Sequence, residues 1–354
     1  MAEKVMVKGN EAIAEAAIMA GCRHFFGYPI TPQTEISAYM AKKMPKIGGV
    51  FLQAESEVAA INMVYGAASA GARVMTSSSS PGISLKAEGL SYIAGADLPC
   101  VVVNIVRAGP GLGGIQPAQS DYFQATKGHG HGDYKLVVLA PNSVQEIISM
   151  TAEAFDIADT YRMPVMIIGD GMLGQMMEPV EFELGKGREV PEKTWATTGT
   201  EMKREHNVVN SLIMNPDDLE KLIHERNKRY EYIKEHEVKA EEYMMEDAEY
   251  MITAYGSTSR IAKNAIKELR AEGIKAGLVR PITLWPFPEK TYQKYIGQVK
   301  DILTVEMSMG QMIEDVRLAV NGKIPVHFYG RTGGNIPYPE EIAGKMREIA
   351  GGDR

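Results

Sequence analysis

Cysteine is scarce in this chain. Only two cysteines, Cys22 and Cys100, occur among the 354 residues, far apart and in apolar surroundings. Because no Cys-x-x-Cys pair is present, the sequence excludes an iron–sulfur cluster or a zinc ribbon held by this chain. We therefore interpret both cysteines as buried thiols.

Long apolar runs and an excess of positive charge are also absent. No run of about 20 apolar residues occurs, and the N-terminus lacks the apolar core of a signal peptide, so we expect a cytoplasmic protein. The formal net charge of −7 argues against nucleic acid or an anionic membrane as the main partner. With 45% hydrophobic residues, the chain can bury the cores of two domains.

The order of apolar segments predicts an α/β fold. Helix-like and strand-like segments alternate from Glu11 to about Asp170, and a second alternating pattern begins at Tyr250. Such alternation is typical of a doubly wound, mostly parallel sheet with helices on both faces. Between the two patterns, apolar strands are lacking from about Glu181 to Asp247. Within this stretch, Asp217 to Glu246 is rich in Glu, Lys and Arg, which favours a solvated helical connector over a coiled-coil arm, because no heptad is sustained. The predicted divisions are residues 1–190, 191–247 and 248–354.

The segment Gly27–Gln33 is predicted to join a strand to a helix. Thr31 stands where a helix N-cap is expected, and Pro32 suits the first helical position. In a parallel sheet such a turn lies at the carboxyl edge, where ligands bind. Thr31 is therefore either a helix cap or a site residue.

Two motifs match cofactor-binding patterns only in part. Gly109–Gly114 satisfies the dinucleotide pattern G-x-G-x-x-G, but the residues after it lack the helical period that a phosphate turn needs, so we interpret it as an active-site loop. Gly169–Gly171 resembles the Mg²⁺-diphosphate motif of thiamine diphosphate enzymes. The asparagine that completes that motif is absent, because the first asparagine downstream is Asn207, so we predict a turn. His129 and His131 have no evident third ligand, and we predict no metal site.

Four stretches, taken together and in order, make the chain recognisable. They are Tyr28–Pro32, Gln53–Glu57, Ile105–Ala108 and Arg280–Pro288. The first three resemble the α subunit of the 2-oxoacid:ferredoxin oxidoreductases, and the fourth is similar to that family's transketolase C-terminal-like α/β domain. Within the family, the resemblance favours the branched-chain (2-oxoisovalerate) enzyme, with the 2-oxoglutarate enzyme as the alternative.

The resemblance implies a thiamine diphosphate enzyme that is divided between chains. The α subunit would supply the pyrimidine-binding domain, and a β subunit the diphosphate and Mg²⁺ site with a 4Fe–4S cluster. A γ subunit and a ferredoxin-like δ subunit would complete the complex. A 2-oxo acid would be oxidatively decarboxylated, coenzyme A would take the acyl group, and ferredoxin would accept the electrons.

The resemblance also implies a catalytic carboxylate. Glu57 matches the family glutamate that bonds N1′ of the thiamine pyrimidine and favours its reactive tautomer. Glu55 is the competitor two residues away. For either residue, the alternative is a carboxylate that merely complements the positive end of a helix.

Further site residues follow from the same resemblance. Arg107 matches the arginine that holds the substrate carboxylate, a task suited to the planar guanidinium. Thr31 matches a threonine that donates to the substrate, and Pro29 and Ile30 would pack against the cofactor. The serines Ser79 and Ser80 point to the same sheet edge, but the sequence assigns them no role.

Three rival functions stay open at this point. Use of 2-oxoglutarate would need a second cation near the pocket, for which Lys86 and Lys127 are the candidates. A second rival is half of another thiamine diphosphate enzyme, such as a dehydrogenase or a transketolase-like protein. The third is a non-catalytic assembly subunit.

Overall fold

Two mostly parallel sheets and a separate antiparallel pair of strands, Val5–Lys8 with Met177–Val180, organise the chain in the computed structural model, which describes residues 4–128 and 130–351. His129 lies outside the described residues. The strands are β1 (Val5–Lys8), β2 (His24–Gly27), β3 (Val50–Gln53), β4 (Val74–Ser78), β5 (Cys100–Val106), β6 (Val137–Leu139), β7 (Pro164–Asp170), β8 (Met177–Val180), β9 (Ala240–Tyr243), β10 (Tyr250–Thr253), β11 (Ala276–Pro281), β12 (Thr283–Trp285), β13 (Asp301–Glu306) and β14 (Val326–Gly330).

Helices cover both sheets. They are α1 (Gly9–Met19), α2 (Thr34–Lys43), α3 (Glu57–Ser69), α4 (Pro81–Leu85), α5 (Ala87–Gly95), α6 (Tyr122–Thr126), α7 (Val144–Tyr161), α8 (Gly171–Gln175), α9 (Pro216–His236), α10 (Gly256–Ala271), α11 (Glu289–Gln293), α12 (Met312–Val320) and α13 (Pro339–Gly351). Among the described residues, no helix has the length and apolar character needed to cross a membrane.

The first sheet has seven strands in the order β12-β6-β7-β5-β4-β2-β3. Six run parallel and β12 is antiparallel to β6. The central strands β5 and β7 are buried along their whole length, as expected for Val- and Ile-rich strands covered on both faces. The predicted doubly wound α/β fold is confirmed, and the parallel strands end together at one edge.

The second sheet has five strands in the order β14-β13-β10-β11-β9. Four are parallel, and β9 is antiparallel at the edge beside β11. The second α/β pattern predicted from Tyr250 onward is therefore present. The two sheets are joined directly, because the chain leaves β11 in the second sheet and enters β12 in the first.

The charged stretch between the domains holds a helix, as predicted, but also a strand. Helix α9 is capped by the Asn215 side chain, which accepts from the Asp217 N–H at 2.9 Å. Strand β9 was not predicted, because its Glu241 and Glu242 hide the strand signal at a sheet edge. The division into residues 1–190, 191–247 and 248–354 stays a prediction.

Both cysteines are buried. Burial raises the pKa of Cys22 and of Cys100 to about 12. A thiol held so strongly in its neutral form is inert as a nucleophile or metal ligand. The interpretation of both residues as buried thiols is confirmed.

Candidate functional site

The turn after β2 lies at the carboxyl edge of the first sheet, as predicted. Helix α2 begins only at Thr34, so the expectation that Thr31 is the N-cap and Pro32 the first helical residue is wrong. The Pro32 carbonyl accepts from Asn10 Nδ2 at 2.7 Å, and the Gln33 N–H bonds the Ile30 carbonyl at 3.2 Å. A turn thus precedes the helix, and Thr31 does not serve as its cap.

Residues 29–31 of the same turn are partly or fully exposed to solvent. Pro29 and Thr31 are exposed and Ile30 is half-buried. Behind them, Gln33 is fully buried and its side-chain oxygen accepts from Ser77 Oγ on β4 at 2.5 Å. The turn is therefore anchored to the sheet through Gln33 while residues 29–31 face the open edge.

Glu57 is a buried carboxylate at the N-terminus of α3. Its side chain is 6% exposed, whereas Glu55 is exposed. Ser56 caps the helix by accepting from the Ala59 N–H at 3.1 Å, so Glu57 is not needed for that task. The positive end of the helix stabilises its charge.

A glycine lets the chain approach Glu57 closely. A β-carbon added to Gly82 would lie 2.7 Å from Glu57 Oε1 and nearer still to Ser78 Oγ. No side chain fits between these groups. Glu57 and Ser78 therefore share a pocket whose floor is the backbone of α4.

Arg107 follows β5 and is 9% exposed. Its guanidinium donates to the Thr31 carbonyl and to the Leu112 carbonyl, each at 3.1 Å, while Nε has no partner. No carboxylate pairs with it among residues 4–128 and 130–351. The structure thus brings Arg107 and Thr31 together and leaves a buried cation that has no carboxylate partner among the described residues.

The turn of serines that follows β4 contacts the backbone of Arg107 through Ser80. Ser80 Oγ accepts from the Arg107 N–H at 3.1 Å and donates to the Arg107 carbonyl at 3.3 Å. Asn104 Oδ1 accepts from the Ser80 N–H at 3.1 Å and helps to hold Ser80 at a φ of 28°. Such a conformation is costly for a non-glycine residue. Ser80 therefore fixes the backbone of Arg107, a role that sequence reasoning missed.

Two further hydroxyls in this turn lack partners. Ser78 Oγ and Ser79 Oγ are buried and bond nothing in the described structure. Buried polar atoms are almost always paired, so these two hydroxyls are available to a ligand or to water. Together with Arg107 Nε, they mark the carboxyl edge near Glu57.

The glycine loop Gly109–Gly114 stands over this edge. No helix follows it directly, as predicted, since the next one is α6. The loop closes on itself through hydrogen bonds of 2.9 Å from the Gly114 N–H to the Ala108 carbonyl and from the Ala108 N–H to the Gln116 carbonyl. Leu112 at its tip is 83% exposed. The loop therefore borders the site through the contact of Leu112 with Arg107.

Asp170 in the Gly169–Gly171 motif is a helix cap. One oxygen accepts from the Met172 N–H at 2.8 Å and the Leu173 N–H at 3.2 Å, and the other from Ser257 of the second domain. Burial raises the pKa of this carboxyl, while these hydrogen bonds lower it. The predicted turn is the start of the short helix α8. In the described residues, no group of three His, Cys, Asp or Glu side chains is arranged to hold a metal.

The two lysine candidates for a second substrate cation are both engaged. Lys127 pairs with Asp315 of the second domain. Lys86 is fully buried, and its ammonium donates to Thr76 Oγ1 at 2.8 Å and to the Ser77 carbonyl at 3.1 Å. Burial lowers the pKa of Lys86 to about 7, and the charge of Glu57 opposes that shift.

Comparison with known proteins agrees with this architecture. Residues 15–251 match the family described as "Pyruvate flavodoxin/ferredoxin oxidoreductase, thiamine diP-bdg", and residues 248–342 match "Pyruvate:ferredoxin oxidoreductase core domain II". The ketoisovalerate oxidoreductase subunit VorB of Methanothermobacter marburgensis is 50% identical over 346 residues, 98% of each chain. The 2-oxoglutarate synthase subunit KorA of the same organism is 36% identical, over 98% of this chain and 99% of KorA.

Solved structures give the same result. The 2-oxoglutarate:ferredoxin oxidoreductase from Magnetococcus marinus, solved with 2-oxoglutarate, coenzyme A and succinyl-CoA, superposes with a TM-score of 0.87 at 29% identity, over 98% of this chain and 65% of that one. A split-gene transketolase at 15% identity and a TM-score of 0.62 shares the fold. The resemblance predicted from the four sequence stretches is confirmed. The chain belongs to the thiamine diphosphate-dependent 2-oxoacid:ferredoxin oxidoreductase family.

Proposed function

We propose that this chain is the α subunit of a complex that oxidatively decarboxylates branched-chain 2-oxo acids, 2-oxoisovalerate foremost. The products are the acyl-CoA and CO₂, and ferredoxin accepts the electrons. The observation that carries this proposal is the 50% identity to the ketoisovalerate subunit VorB over 98% of both chains. The corresponding 2-oxoglutarate subunit reaches 36%.

The geometry of the site supports the same substrate class. A branched-chain 2-oxo acid offers one carboxylate, and Arg107 is one buried cation without an anionic partner. The second carboxylate of 2-oxoglutarate would need a further cation. In the described structure Lys127 is paired with Asp315, and Lys86 is buried against β4.

The residues present fit the pyrimidine end of thiamine diphosphate. The orphan atoms Ser78 Oγ, Ser79 Oγ and Arg107 Nε lie at the sheet edge near the buried Glu57, and residues 29–31 offer a partly apolar rim. Bound thiamine diphosphate supplies the carbon nucleophile that attacks the 2-oxo carbon and the electron sink for decarboxylation. We assign its pyrimidine to this chain and its diphosphate and Mg²⁺ to a β subunit.

Each residue of the site then has one task. Glu57 holds a proton at N1′ of the pyrimidine, a task suited to a carboxylate that is shielded from water. Arg107 orients the substrate carboxylate, and its backbone is fixed for that purpose by Ser80. Thr31 donates to the substrate, while Pro29 and Ile30 pack against the cofactor.

Partner chains complete the enzyme. Because both cysteines of this chain are buried thiols, we assign the 4Fe–4S clusters to the β subunit and to a ferredoxin-like δ subunit, with a γ subunit completing the complex. The similar VorB and KorA proteins are each named as a subunit, which supports an enzyme made of several chains. The isolated chain is expected to lack turnover.

The test is a comparison of substrates with the complex that copurifies with this chain. Reduction of ferredoxin should be faster with 2-oxoisovalerate than with 2-oxoglutarate at equal concentration, and should require coenzyme A and thiamine diphosphate. Faster turnover of 2-oxoglutarate would replace the proposed substrate with the alternative one. A complex without bound iron would favour another class of thiamine diphosphate enzyme.

A further inference from the structure

The position of the Arg107 guanidinium depends on the glycine loop. The guanidinium donates to the Leu112 carbonyl, near the tip of that loop, at 3.1 Å. At the base of the loop, the Ala108 N–H donates to the Gln116 carbonyl at 2.9 Å. Arg107 itself forms an antiparallel backbone bridge with Pro117. The placement of the loop over Arg107 is therefore set by the residues that return from it.

Gln119 fastens these returning residues, 116–119, to the second domain. Gln119 is 2% exposed. Its Nε2 donates to the Tyr255 carbonyl at 2.9 Å, and its Oε1 accepts from Thr258 Oγ1 at 2.8 Å and from the Met307 N–H at 3.0 Å. On the backbone, the Gln119 N–H donates to the Met307 carbonyl at 2.8 Å, and the Gln119 carbonyl accepts from Tyr255 OH at 3.2 Å. One residue thus joins the two domains through five hydrogen bonds.

The partners of Gln119 lie at the carboxyl edge of the second sheet. Tyr255 follows β10 and Met307 follows β13, which are adjacent parallel strands, and Thr258 lies in the first turn of α10. In an open α/β sheet, this edge is where ligands usually bind. Here it binds the side chain of Gln119. The second sheet therefore uses its edge to hold a residue of the first domain.

A second contact holds the returning residues from the same domain. Gly334, in the loop after β14, has a φ of 95°, and a β-carbon added there would overlap the β-carbon of Gln116. Only glycine permits so close an approach in this conformation. The second domain thus contacts the returning residues on both sides of Pro117.

The short span between these contacts leaves the base of the loop little freedom. Only Ala118, which is buried, separates Pro117 from Gln119. Because one residue spans at most about 3.6 Å, a shift of Gln119 is passed on to Pro117 and so to the loop. Both polar atoms of the Gln119 side chain are paired, so hydrogen bonds and not packing alone determine where that side chain lies.

We propose that Gln119 is a positioning residue for Arg107: it ties the returning residues to the second domain and so keeps the glycine loop, with the Leu112 carbonyl, in place against the guanidinium. Gln119 does not touch the substrate and acts only through the loop. This inference rests on the proposed function for the substrate role of Arg107, but the attachment of the loop to the second domain does not.

Another contact between the domains provides a matched control. Tyr122 OH, on α6, donates to Asp315 Oδ2, on α12, at 2.5 Å. Tyr122 is fully buried and comes after the returning residues in the chain. Tyr122→Phe therefore removes a buried hydrogen bond between the same two domains without altering a partner of Gln119.

Kinetics of the complex distinguish a positioning role from a structural one. Gln119→Met keeps the volume of the side chain and removes its hydrogen bonds, and Thr258→Val removes one donor from the second domain. Both should raise KM for the 2-oxo acid about three- to tenfold, with kcat changed by less than about twofold, because the guanidinium is held less firmly. Thr258→Ser keeps the donor and should restore the normal KM. Tyr122→Phe should lower the urea midpoint and leave KM unchanged.

Hydrogen–deuterium exchange of the same complexes tests the attachment of the loop without turnover. The amides of Ala108 and Gly114, which are hydrogen-bonded within the loop, should exchange faster in Gln119→Met and in Thr258→Val. They should exchange at the normal rate in Thr258→Ser and in Tyr122→Phe. Unchanged exchange in both Gln119→Met and Thr258→Val would overturn the inference.

Arg107→Lys separates failure of the inference from failure of the proposed function. If Arg107→Lys raises KM but Gln119→Met and Thr258→Val do not, Gln119 does not position Arg107 and the inference is wrong. If Arg107→Lys leaves KM unchanged, the substrate role that the proposed function gives Arg107 is wrong, while faster exchange of the loop would still support its attachment through Gln119. An equal rise of KM in Tyr122→Phe would make Gln119 an ordinary interface residue and would also overturn the inference.

Discussion

Two buried glutamates, one at the edge of each sheet, have opposite surroundings. Glu306 ends β13 in the second sheet and accepts from the backbone N–H groups of Gln311, Met312 and Ile313 at 3.0–3.2 Å and from Ser308 Oγ at 3.0 Å. Glu57, at the edge of the first sheet, lies instead beside Gly82 and Ser78, since a β-carbon added to Gly82 would lie 2.7 Å from Glu57 Oε1 and nearer still to Ser78 Oγ.

The difference separates a structural carboxylate from a functional one. Burial raises the pKa of Glu306, and its hydrogen bonds lower it. Because both carboxylate oxygens accept these bonds, Glu306 holds the start of α12 in place. At the edge of the first sheet, the hydroxyls of Ser78 and Ser79 and the Nε of Arg107 have no hydrogen-bond partner in the described structure. A buried group with its partners supplied maintains the fold, whereas buried groups without a protein partner can bind a ligand.

Exchanging each glutamate for glutamine should give the largest contrast. Glu57→Gln should lower turnover of the complex by about 10²–10⁴-fold, the usual contribution of acid–base catalysis, because an amide cannot exchange the proton at N1′. Its unfolding free energy should change little. Steady-state kinetics and urea unfolding of both variants make the comparison.

Glu306→Gln should behave in the reverse way. It loses the charge-assisted bonds to the backbone of α12 and should lower the unfolding free energy by about 1–3 kcal/mol. Turnover per folded complex should be retained. Loss of turnover in a fully folded Glu306→Gln complex, with normal turnover in Glu57→Gln, would reverse the roles assigned to the two edges.

Arg107→Lys should have the next largest effect. A lysine keeps the charge but not the planar fork, so kcat/KM for the 2-oxo acid should fall roughly ten- to a hundredfold, mainly through KM. Affinity for thiamine diphosphate, measured by titration calorimetry, should be unchanged. An equal loss in cofactor affinity would mean that Arg107 serves the cofactor rather than the substrate.

Gly82→Ala probes the close approach to Glu57. The new methyl group would lie 2.7 Å from Glu57 Oε1, so we expect a loss of about 1–3 kcal/mol in the free energy of unfolding together with reduced turnover. Gly344→Ala in α13 is the matched control, because a β-carbon there meets no atom within 4 Å. The control should be neutral or stabilising by about 0.5–1 kcal/mol, since alanine favours helix. Equal behaviour of the two variants would argue against a tight pocket.

Ser80→Ala should have the smallest effect. It removes the hydroxyl that holds both backbone groups of Arg107, and we expect a loss of about 1 kcal/mol in unfolding free energy with a modest rise in KM. Ser149→Ala, at an exposed position of α7, is the control, because its hydroxyl donates to the Glu146 carbonyl of its own helix. An unaltered KM in Ser80→Ala would remove the role of this serine in positioning Arg107.

Patterns in the sequence predicted the fold well, because the burial of a strand or helix depends mainly on residues that are close together in the chain. The period of apolar residues in β5 and α7 reports burial directly, and the resulting doubly wound sheet is observed. The start of α2 could not be predicted in this way. The competing hydrogen bond to the Pro32 carbonyl comes from Asn10, a residue 22 positions earlier in the chain.

The site was only partly visible in the sequence for the same reason. The motifs singled out Glu57, Arg107 and Thr31, and the structure places Thr31 against Arg107, but their roles stay predictions. Ser80 was named without a role, because its contact with Arg107 joins residues 27 positions apart. Lys86 was named as a candidate second cation, but its burial depends on contacts with Thr76 and Ser77 of β4, which the local sequence pattern does not report.

We propose that the buried groups at the edge of the first sheet bind the aminopyrimidine of thiamine diphosphate. A cryo-EM map of the complex loaded with thiamine diphosphate tests it most directly. We expect the Glu57 carboxylate to lie at hydrogen-bonding distance from N1′ of the pyrimidine. A map in which Glu57 points to solvent, or in which the cofactor lies away from this edge, would contradict it.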